Sequence, residues 1–308
     1  MVDYSNWMKD IDDETHISKL AIPGTHNSAA CFNLAPPSVQ CQGASVTDQL
    51  NNGVRFIDVR LSKDFFANNL VGTLLGSGKD ENDLVVVHGN FPVKLNGVEK
   101  FSSVLNELLK FVDEHNSETV ILSLKQEGNG KWDNDNDEFP KVLEEKYFNN
   151  YKEKLYLDTG IPKLRDARGK VVIFRRFGVR DQDKNNQFGI PANVWSYNTT
   201  DDDRGSYCVQ DFCEFKTGED ISKKCEYIKN MINKANEYNS TQSDPKLFVN
   251  FCSGSNFYDK DCWPSNVSES INKNKINESY AKGCGIVVLD FAERENWKMT
   301  KELVDKNF

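Results

Sequence analysis

The sequence predicts a single α/β domain folded as a distorted (β/α)8 barrel of the TIM type with parallel strands. Eight short apolar runs rich in β-branched residues recur along the 308 residues, and polar segments with helical periodicity separate several of them. Near-continuous apolar strands are typical of a parallel sheet that helices cover on both faces. Because no linker or internal repeat divides the chain, we expect residues 1–308 to form one domain.

The apolar runs define the strands, and the spacing between apolar residues defines the helices. The predicted strands are residues 19–24, 54–61, 84–89, 119–127, 170–177, 207–212, 246–253 and 285–291. Apolar residues at the spacing of one helical face predict helices at residues 97–115, 138–151, 221–238 and 265–280. Residues 178–206 lack the pattern of a full crossover helix, so we expect the barrel to be irregular there.

The charge balance excludes some classes of partner. The chain has 38 Lys and Arg against 47 Asp and Glu, a net charge of −9, which argues against sequence-independent binding to nucleic acid. No run of about 18 apolar residues occurs, which predicts a soluble chain. The first 14 residues are polar and lack the apolar segment of a secretory signal, so we expect such a signal to be removed or never present.

Eight cysteines, an even number, suit an oxidising compartment. Disulfides are expected between Cys31 and Cys41 and between Cys252 and Cys262, because each would close a short loop; buried free thiols are the alternative. The sequence has no C-x-x-C pair and its four histidines are scattered, so spacing predicts no metal site.

Charged and hydrogen-bonding side chains interrupt the predicted strands at their carboxyl ends. An ionised group in an apolar strand needs compensation for its lost hydration, which makes this recurrence informative. In a barrel these ends meet at one mouth, where active sites of this fold lie. The residues concerned are His26, Asn27, Asp58, Arg60, His88, Lys125, Arg175, Arg176, Asp211 and Asp290.

The charges at this mouth indicate a phosphate ester as the substrate. Arg60, Lys125 and Arg176 would form a cationic cluster, and a phosphate diester is the common biological anion with a tetrahedral charge to stabilise. His26 and His88 could act as base and acid, one removing a proton from an attacking hydroxyl and the other protonating the leaving oxygen. A single histidine at a strand end is more often only a structural hydrogen-bond partner. The recurrence over seven strand ends therefore carries the prediction of acid–base phosphodiester cleavage.

Eight segments also carry a family resemblance through their order along the chain. They are AIPGTHNS (21–28), GVRFIDVRL (53–61), VVHG (86–89), NSETVILSLKQE (116–127), DARGKVVIFRRF (166–177), VQD (209–211), LFVNFCS (247–253) and GIVVLD (285–290). Together they resemble the bacterial phosphatidylinositol-specific phospholipases C, over about residues 19–296. The resemblance implies an irregular (β/α)8 barrel that cleaves phosphatidylinositol, and often glycosyl-phosphatidylinositol anchors, between diacylglycerol and phosphate.

The resemblance also implies a mechanism and a set of site residues. The inositol 2-hydroxyl is the internal nucleophile, so the first product is inositol 1,2-cyclic phosphate. By position, His26 is the general base, oriented by Asp290, while His88 is the general acid and Arg60 the cation on the phosphate oxygen. The substrate-binding positions are Asp58, Lys125, Arg176 and Asp211.

Two positions depart from the family pattern. Asn27 stands where the bacterial enzymes usually have an Asp that supports the general acid. An amide can hold geometry but cannot stabilise an imidazolium by charge, which predicts a slower acid step. Cys213 stands near the place where the family commonly offers a Tyr that stacks on inositol, so we expect the stacking platform to come from Trp195 or Tyr258.

Two cationic positions bear on metal dependence. Eukaryotic relatives bind calcium and have acidic residues where this chain has Arg60 and Lys125. Fixed cations there would repel the ion, so we expect no metal and no other cofactor.

The implied partner is phosphatidylinositol or a glycosyl-phosphatidylinositol lipid at a membrane surface, bound transiently through an apolar rim. A net charge of −9 favours neutral or zwitterionic surfaces over anionic ones. We expect a monomer that is secreted and acts outside the cell. The candidate rim residues are Phe32, Leu34, Val39, Phe65, Phe66, Leu70, Leu74, Leu75, Phe257, Tyr258 and Trp263, of which those between 65 and 75 could instead pack under a long loop.

Two alternative functions stay open at the level of sequence. A metal-dependent glycerophosphodiester phosphodiesterase shares the barrel and the substrate class, but it normally needs acidic metal ligands after the second strand, where Arg60 stands. A catalytically impaired inositol-lipid binding protein would fit the changes at Asn27 and Cys213. The presence of His26 and His88 favours the enzyme.

Overall fold

The computed structural model describes residues 2–32, 37–64, 80, 82–94 and 98–308. The strands are β1 (Ala21–Thr25), β2 (Phe56–Ser62), β3 (Val85–His88), β4 (Phe91–Pro92), β5 (Val120–Gln126), β6 (Leu155–Tyr156), β7 (Val171–Arg176), β8 (Ile190–Pro191), β9 (Asp202–Asp203), β10 (Tyr207–Gln210), β11 (Leu247–Phe251) and β12 (Gly285–Leu289). The α-helices are α1 (Val46–Asn51), α2 (Phe101–Glu114), α3 (Glu138–Leu143), α4 (Leu164–Ala167), α5 (Asp220–Thr241), α6 (Pro264–Lys273) and α7 (Arg294–Asp305).

The strands form one curled sheet, in the order β6-β7-β5-β2-β1-β12-β11-β10-β9. From β7 to β10 every neighbouring pair is parallel, as expected. Within the described residues, no strand pairing joins the β7–β8 side to the β9–β10 side, so the barrel stays open there. The opening lies in residues 178–206, the segment whose sequence lacked a crossover helix, and the expectation of a distorted barrel is confirmed.

All eight predicted strands are present, but the parallel direction is wrong for the third. β3 pairs antiparallel with the end of β2, with Leu61 opposite Val86, and then forms a hairpin with β4. The end of β2 extends beyond its pairing with β1, and β3 runs back along that end, so the two strands pair in the antiparallel direction. Its position still brings the end of β3 to the mouth of the barrel.

The strands alternate between two apolar layers. On β7, Val172 and Phe174 pack in the cluster that fills the barrel interior, whereas Val171 and Ile173 pack in the cluster that contains the buried face of α2. α2 has the predicted periodicity, with Leu105, Leu108 and Val112 among its buried residues. This period of two decides which later residues of each strand face the interior.

The predicted helices form with shifted ends. Helix α5 extends the predicted segment to 22 residues. The segment from residue 138 divides into α3 and a π-helical turn at Glu144–Phe148. α6 begins with Pro264, whose missing N–H costs nothing at a helix start, and ends well before residue 280. Within the part of the chain that is described, no helix is both long enough and apolar enough to cross a bilayer.

The structure contradicts the expected disulfides. All eight cysteines are free thiols, including Cys31, Cys41, Cys252 and Cys262. The sulfur of Cys41 lies 3.4 Å from the carbonyl oxygen of Val39, and the sulfur of Cys262 lies 3.6 Å from a carboxylate oxygen of Asp259. Closeness in sequence therefore did not bring these sulfur atoms together, because the local turns direct them to other partners.

Candidate active site

The predicted site residues meet in a cleft of about 890 Å³ at the carboxyl ends of the strands. Asn27 and Asp58 are buried, with exposures of 1% and 0%, and they support the cleft from below. The other seven predicted residues line the cleft: His26, Arg60, His88, Lys125, Arg176, Asp211 and Asp290.

The period of two along the strands explains why these residues converge. Phe56 faces the interior, so Asp58 and Arg60 on the same strand do also. Val172 and Phe174 face the interior, so Arg176 follows them and Arg175 points away; Arg175 instead donates to the carbonyl oxygen of Phe177. Because alternate residues of a strand face opposite sides of the sheet, Arg176 faces the cleft and Arg175 faces away from it, although the sequence predicted both at the mouth.

His26 and Asp290 follow neighbouring parallel strands. Thr25 of β1 is in register with Leu289 of β12, so the next residues, His26 and Asp290, lie side by side. The distance from His26 Nδ1 to Asp290 Oδ1 is 2.8 Å. A carboxylate only accepts, so Nδ1 carries the proton and donates, which leaves the lone pair of Nε2 as the basic site.

Asn27 contacts His26 rather than His88. Its Nδ2 lies 3.3 Å from Nε2 of His26, and its backbone has a φ of 42°, in the left-handed region. Its backbone N–H donates to Asp58 Oδ2, at 3.2 Å. The sequence predicted that Asn27 supports the general acid, His88; in the structure its amide group instead lies against the lone pair of His26.

His88 faces His26 across the cleft. The two ring centroids are 5.6 Å apart, with the planes at 89°. Nδ1 of His88 lies 3.0 Å from the carbonyl oxygen of Val39, which orients the ring. Burial, with the nearby His26 and Arg60, lowers the pKa of His88 to about 4, so His88 is neutral at pH 7 when the cleft is empty.

Three cations form a row across three neighbouring strands. Arg60 of β2 is in register with Lys125 of β5, and Lys125 is in register with Arg176 of β7. Burial lowers the pKa of Lys125 and of Arg176. Burial acts in the same direction on Arg60, but the carboxylates of Glu127 and Asp58 outweigh it and raise the pKa of Arg60 above its usual range.

Asp58 lies under this row and is fully buried. Arg60 donates to Oδ2 at 3.3 Å, Arg176 donates to Oδ1 at 3.1 Å, and Ser123 donates to Oδ1 at 3.2 Å. Burial would raise the pKa of Asp58, but Arg60 and Arg176 hold it well below its usual range. Asp58 therefore positions the two guanidinium groups as a permanent anion.

Glu127 is a site residue that the sequence analysis missed. It accepts from Lys125 at 2.5 Å, from Arg60 at 3.3 Å and from the backbone N–H of Gly89 at 2.6 Å. Burial opposes its ionisation, but Arg60 and Lys125 lower the pKa of Glu127 to about 2. Its position two residues after Lys125 was the available signal, because i and i+2 share a strand face.

The far wall of the cleft is aromatic. Trp195 donates from Nε1 to Asp211 at 3.2 Å, and the guanidinium of Arg176 lies 4.0 Å from the Trp195 ring centroid. Tyr258 and Tyr197 also line the cleft and are 95% and 77% exposed. Both expected platform candidates, Trp195 and Tyr258, are therefore present at the cleft.

Part of the expected apolar rim is exposed and part is not. Phe257 is 59% exposed beside Tyr258, whereas Trp263 is half-buried. Val39 is buried and Phe32 packs against the core, so the structure does not place these two on a rim. The remaining rim candidates, Leu34, Phe65, Phe66, Leu70, Leu74 and Leu75, lie outside the described residues.

Comparisons with known proteins indicate one family. The family model described as phosphatidylinositol-specific phospholipase C, X domain, matches residues 19–177. Two proteins named 1-phosphatidylinositol phosphodiesterase are similar: that of Listeria monocytogenes is 28% identical, covering 95% of this chain and 82% of that protein, and that of Staphylococcus aureus strain Newman is 26% identical, covering 98% and 94%.

Solved structures show the same fold. The phosphatidylinositol-specific phospholipase C of S. aureus, from work on the modulation of its membrane binding, superposes with a TM-score of 0.77 at 25% identity and covers 99% of this chain and 98% of that one. The Listeria monocytogenes phosphatidylinositol-specific phospholipase C has a TM-score of 0.70 at 21% identity, with all of both chains covered.

Proposed function

Because the chain belongs to the phosphatidylinositol-specific phospholipase C X-domain family, we propose that it cleaves phosphatidylinositol into diacylglycerol and inositol 1,2-cyclic phosphate. The observation that carries this proposal is the pair of imidazoles of His26 and His88, 5.6 Å apart across a cleft beside the Arg60 guanidinium. That arrangement holds a base and an acid on opposite sides of one phosphate.

The proposed reaction is an internal displacement at phosphorus. Nε2 of His26 takes the proton of the inositol 2-hydroxyl, and that oxygen forms a new bond to phosphorus. The bond from phosphorus to the diacylglycerol oxygen breaks, and His88 gives that oxygen a proton. Arg60 stabilises the charge that builds on the other phosphate oxygens. Because the nucleophile belongs to the substrate, no enzyme nucleophile is required.

His88 must gain its proton before it can act as the acid. In the empty cleft its pKa is about 4. A phosphate diester bound beside it brings a negative charge that favours the imidazolium and offsets the cation of Arg60. Binding of the substrate therefore favours the protonated form of His88 that the acid step requires. Asp290 stabilises the imidazolium that forms on His26.

Headgroup binding is assigned to the cation row and its neighbours. Lys125, Arg176 and Asp211 line the cleft and offer donors and an acceptor for the inositol hydroxyls, while Asp58 positions Arg60 and Arg176. Arg175 offers a matched control, because it is the adjacent residue and faces away from the cleft. We expect Arg176→Gln to raise KM for phosphatidylinositol at least tenfold and Arg175→Gln to leave KM unchanged in the folded protein.

Contact with a membrane is part of the proposal. Phe257, Tyr258 and Tyr197 are exposed beside the cleft, which suits transient insertion into a lipid interface. Val194, 52% exposed, stands in the chain between Asn193 and Trp195, which both line the cleft. Cleavage of glycosyl-phosphatidylinositol anchors, a monomeric state and secretion stay predictions.

The proposal is tested with phosphatidylinositol vesicles in EDTA, following inositol 1,2-cyclic phosphate by phosphorus NMR. Cyclic product from the wild type, and none from His26→Ala, supports the proposal. Full activity in EDTA is expected, because Arg60 and Lys125 stand where the calcium-binding eukaryotic relatives have acidic residues. Loss of turnover in EDTA that calcium restores would contradict the metal-free mechanism.

The same assay separates the two alternatives. Binding to the vesicles without product would indicate an inositol-lipid binding protein. Calcium-dependent release of alcohol from glycerophosphodiesters, without cyclic product, would indicate a glycerophosphodiester phosphodiesterase. A glycosyl-phosphatidylinositol-anchored protein serves as a second substrate, and its release into solution would extend the substrate class to anchors.

A further inference from the structure

Three side chains with metal-binding atoms meet at the back of the cleft. The ligand atoms of His26, Cys41 and His88 all lie within 4.8 Å of one another. Cys41 is fully buried, and its sulfur lies 3.6 Å from Nδ1 of His88. Among the residues that the structure describes, this is the one group of three that could hold a metal ion.

The spacing suits a small thiophilic cation. Zn²⁺ binds sulfur at about 2.3 Å and imidazole nitrogen at about 2.0–2.1 Å in tetrahedral geometry, which puts neighbouring sulfur and nitrogen ligands about 3.6 Å apart. The Sγ atom of Cys41 lies 3.6 Å from Nδ1 of His88, so Nδ1 is the His88 nitrogen at this spacing.

The imidazole of His26 is already held by an acceptor, as metal-binding histidines usually are. Asp290 accepts from Nδ1 of His26, so Nε2 is the nitrogen left for a ligand. Nδ1 of His88 lies 3.0 Å from the carbonyl oxygen of Val39, so this contact is given up when Nδ1 binds the metal. Oδ1 of Asn27 is a buried oxygen with no partner among the described residues, and it belongs to the amide beside Nε2 of His26.

We propose that Zn²⁺ binds to His26, Cys41 and His88, with its fourth position open to the cleft, and that it inhibits the protein reversibly. The thiol of Cys41 gives its proton to solvent as the metal–sulfur bond forms. The metal then occupies the Nε2 lone pair with which His26 would accept a proton, and on Nδ1 of His88 it prevents formation of the imidazolium that would act as the acid. Ca²⁺ prefers oxygen ligands and does not compete. The inhibition rests on the proposed function, whereas the binding does not.

Binding is tested without substrate. Co²⁺, a spectroscopic substitute for Zn²⁺, is titrated into the wild type, and one equivalent should produce a thiolate-to-cobalt charge-transfer band that Zn²⁺ removes. Cys41→Ser should lose the band and bind on the order of 100-fold more weakly, since loss of an orienting partner alone costs roughly 10- to 100-fold. Cys284→Ser, another fully buried cysteine, is the matched control and should behave as the wild type.

Absence of the band in the wild type, or equal binding by Cys41→Ser, would overturn the site. Thermal melting checks that each variant is folded, and Cys41→Ala is a second replacement. The wild-type spectrum needs no variant, so it decides whether a sulfur ligand is present even where both replacements fail to fold.

Inhibition is tested with phosphatidylinositol vesicles after the binding test. Zn²⁺ should inhibit the wild type and Cys284→Ser, EDTA should restore both rates, and Ca²⁺ should have no effect. Each variant is compared with its own metal-free rate, and Cys41→Ser should need on the order of 100-fold more Zn²⁺. Equal inhibition of all three proteins would overturn the proposal. A protein that shows the cobalt band but no cyclic product would contradict the proposed function and leave the metal site supported.

Discussion

Two buried charge clusters lie at opposite ends of the same strands and differ in how completely they are paired. Arg55, just before β2, has all five of its N–H groups in hydrogen bonds, to Glu118 and to the carbonyl oxygens of Leu50, Val54, Tyr4 and Ser5. Its guanidinium also lies 4.7 Å from the ring centroid of Phe111. No N–H group of Arg55 is left for a ligand, so this cluster serves to stabilise the fold.

The cluster at the mouth is arranged differently. Arg60, Lys125 and Arg176 share the two carboxylates of Asp58 and Glu127, so cations outnumber their carboxylate partners. Within the described part of the chain, Arg60 donates through Nε and Nη1, and Arg176 through Nη1, which leaves the remaining donors for a ligand. Both clusters are buried, so incomplete pairing, rather than burial, is the property that distinguishes the cluster at the mouth from a structural ion pair.

The largest expected effect is on the structural cluster. Arg55→Met leaves Glu118 as a buried, unpaired charge and should lower the free energy of unfolding by about 3–5 kcal/mol in urea denaturation. The double variant Arg55→Met/Glu118→Leu removes that charge and should recover most of the loss. If Arg55→Met is as stable as the wild type, the pair of Arg55 and Glu118 does not stabilise the fold and the distinction between the two clusters is wrong.

At the mouth, the expected loss is in catalysis. Arg60→Gln removes a cation from the phosphate and should lower kcat/KM about 100- to 1000-fold. Arg180→Gln, which changes a 67% exposed side chain paired with Asp135, is the control and should keep the wild-type rate. If Arg60→Gln retains kcat/KM within threefold, the cation row is not the phosphate site.

The lowered pKa of His88 should make the free energy of unfolding depend on pH. Its pKa is about 4 in the folded protein, so the unfolded chain takes up this proton first as the pH falls. The free energy of unfolding should therefore decrease between pH 7 and pH 4, by about 3 kcal/mol from this residue. In urea denaturation, His88→Gln should lose about 3 kcal/mol less than the wild type over that interval. Parallel pH curves for the two proteins would show that His88 is not buried as a neutral ring.

The smallest expected effect concerns the amide next to the base. Asn27→Asp replaces a donor that shares the lone pair of His26 with a carboxylate that can stabilise an imidazolium. We expect kcat to rise roughly fivefold, equivalent to about 1 kcal/mol in the barrier. Asn27→Ala, which removes the donor without adding charge, separates the two causes. An unchanged or lower kcat for Asn27→Asp would contradict this account.

Patterns in the sequence located most of the elements and most of the cleft. Apolar runs located the eight strands, and strand-end residues such as His26, Lys125 and Asp290 do line one mouth. Glu127 was missed because a single acidic residue after a strand looks like ordinary surface. A disulfide was expected at Cys41 because pairing with Cys31 would close a short loop, but spacing in the sequence says nothing about the direction of a thiol.

Local chemistry along the chain was enough to place the fold class, the cationic mouth and the two imidazoles, because strand periodicity and residue charge are properties of short segments. The antiparallel return of β3, the gap between β8 and β9 and the packing of Cys41 against His88 were decided only in three dimensions. These features depend on contacts between segments far apart in the sequence, and no local pattern encodes them.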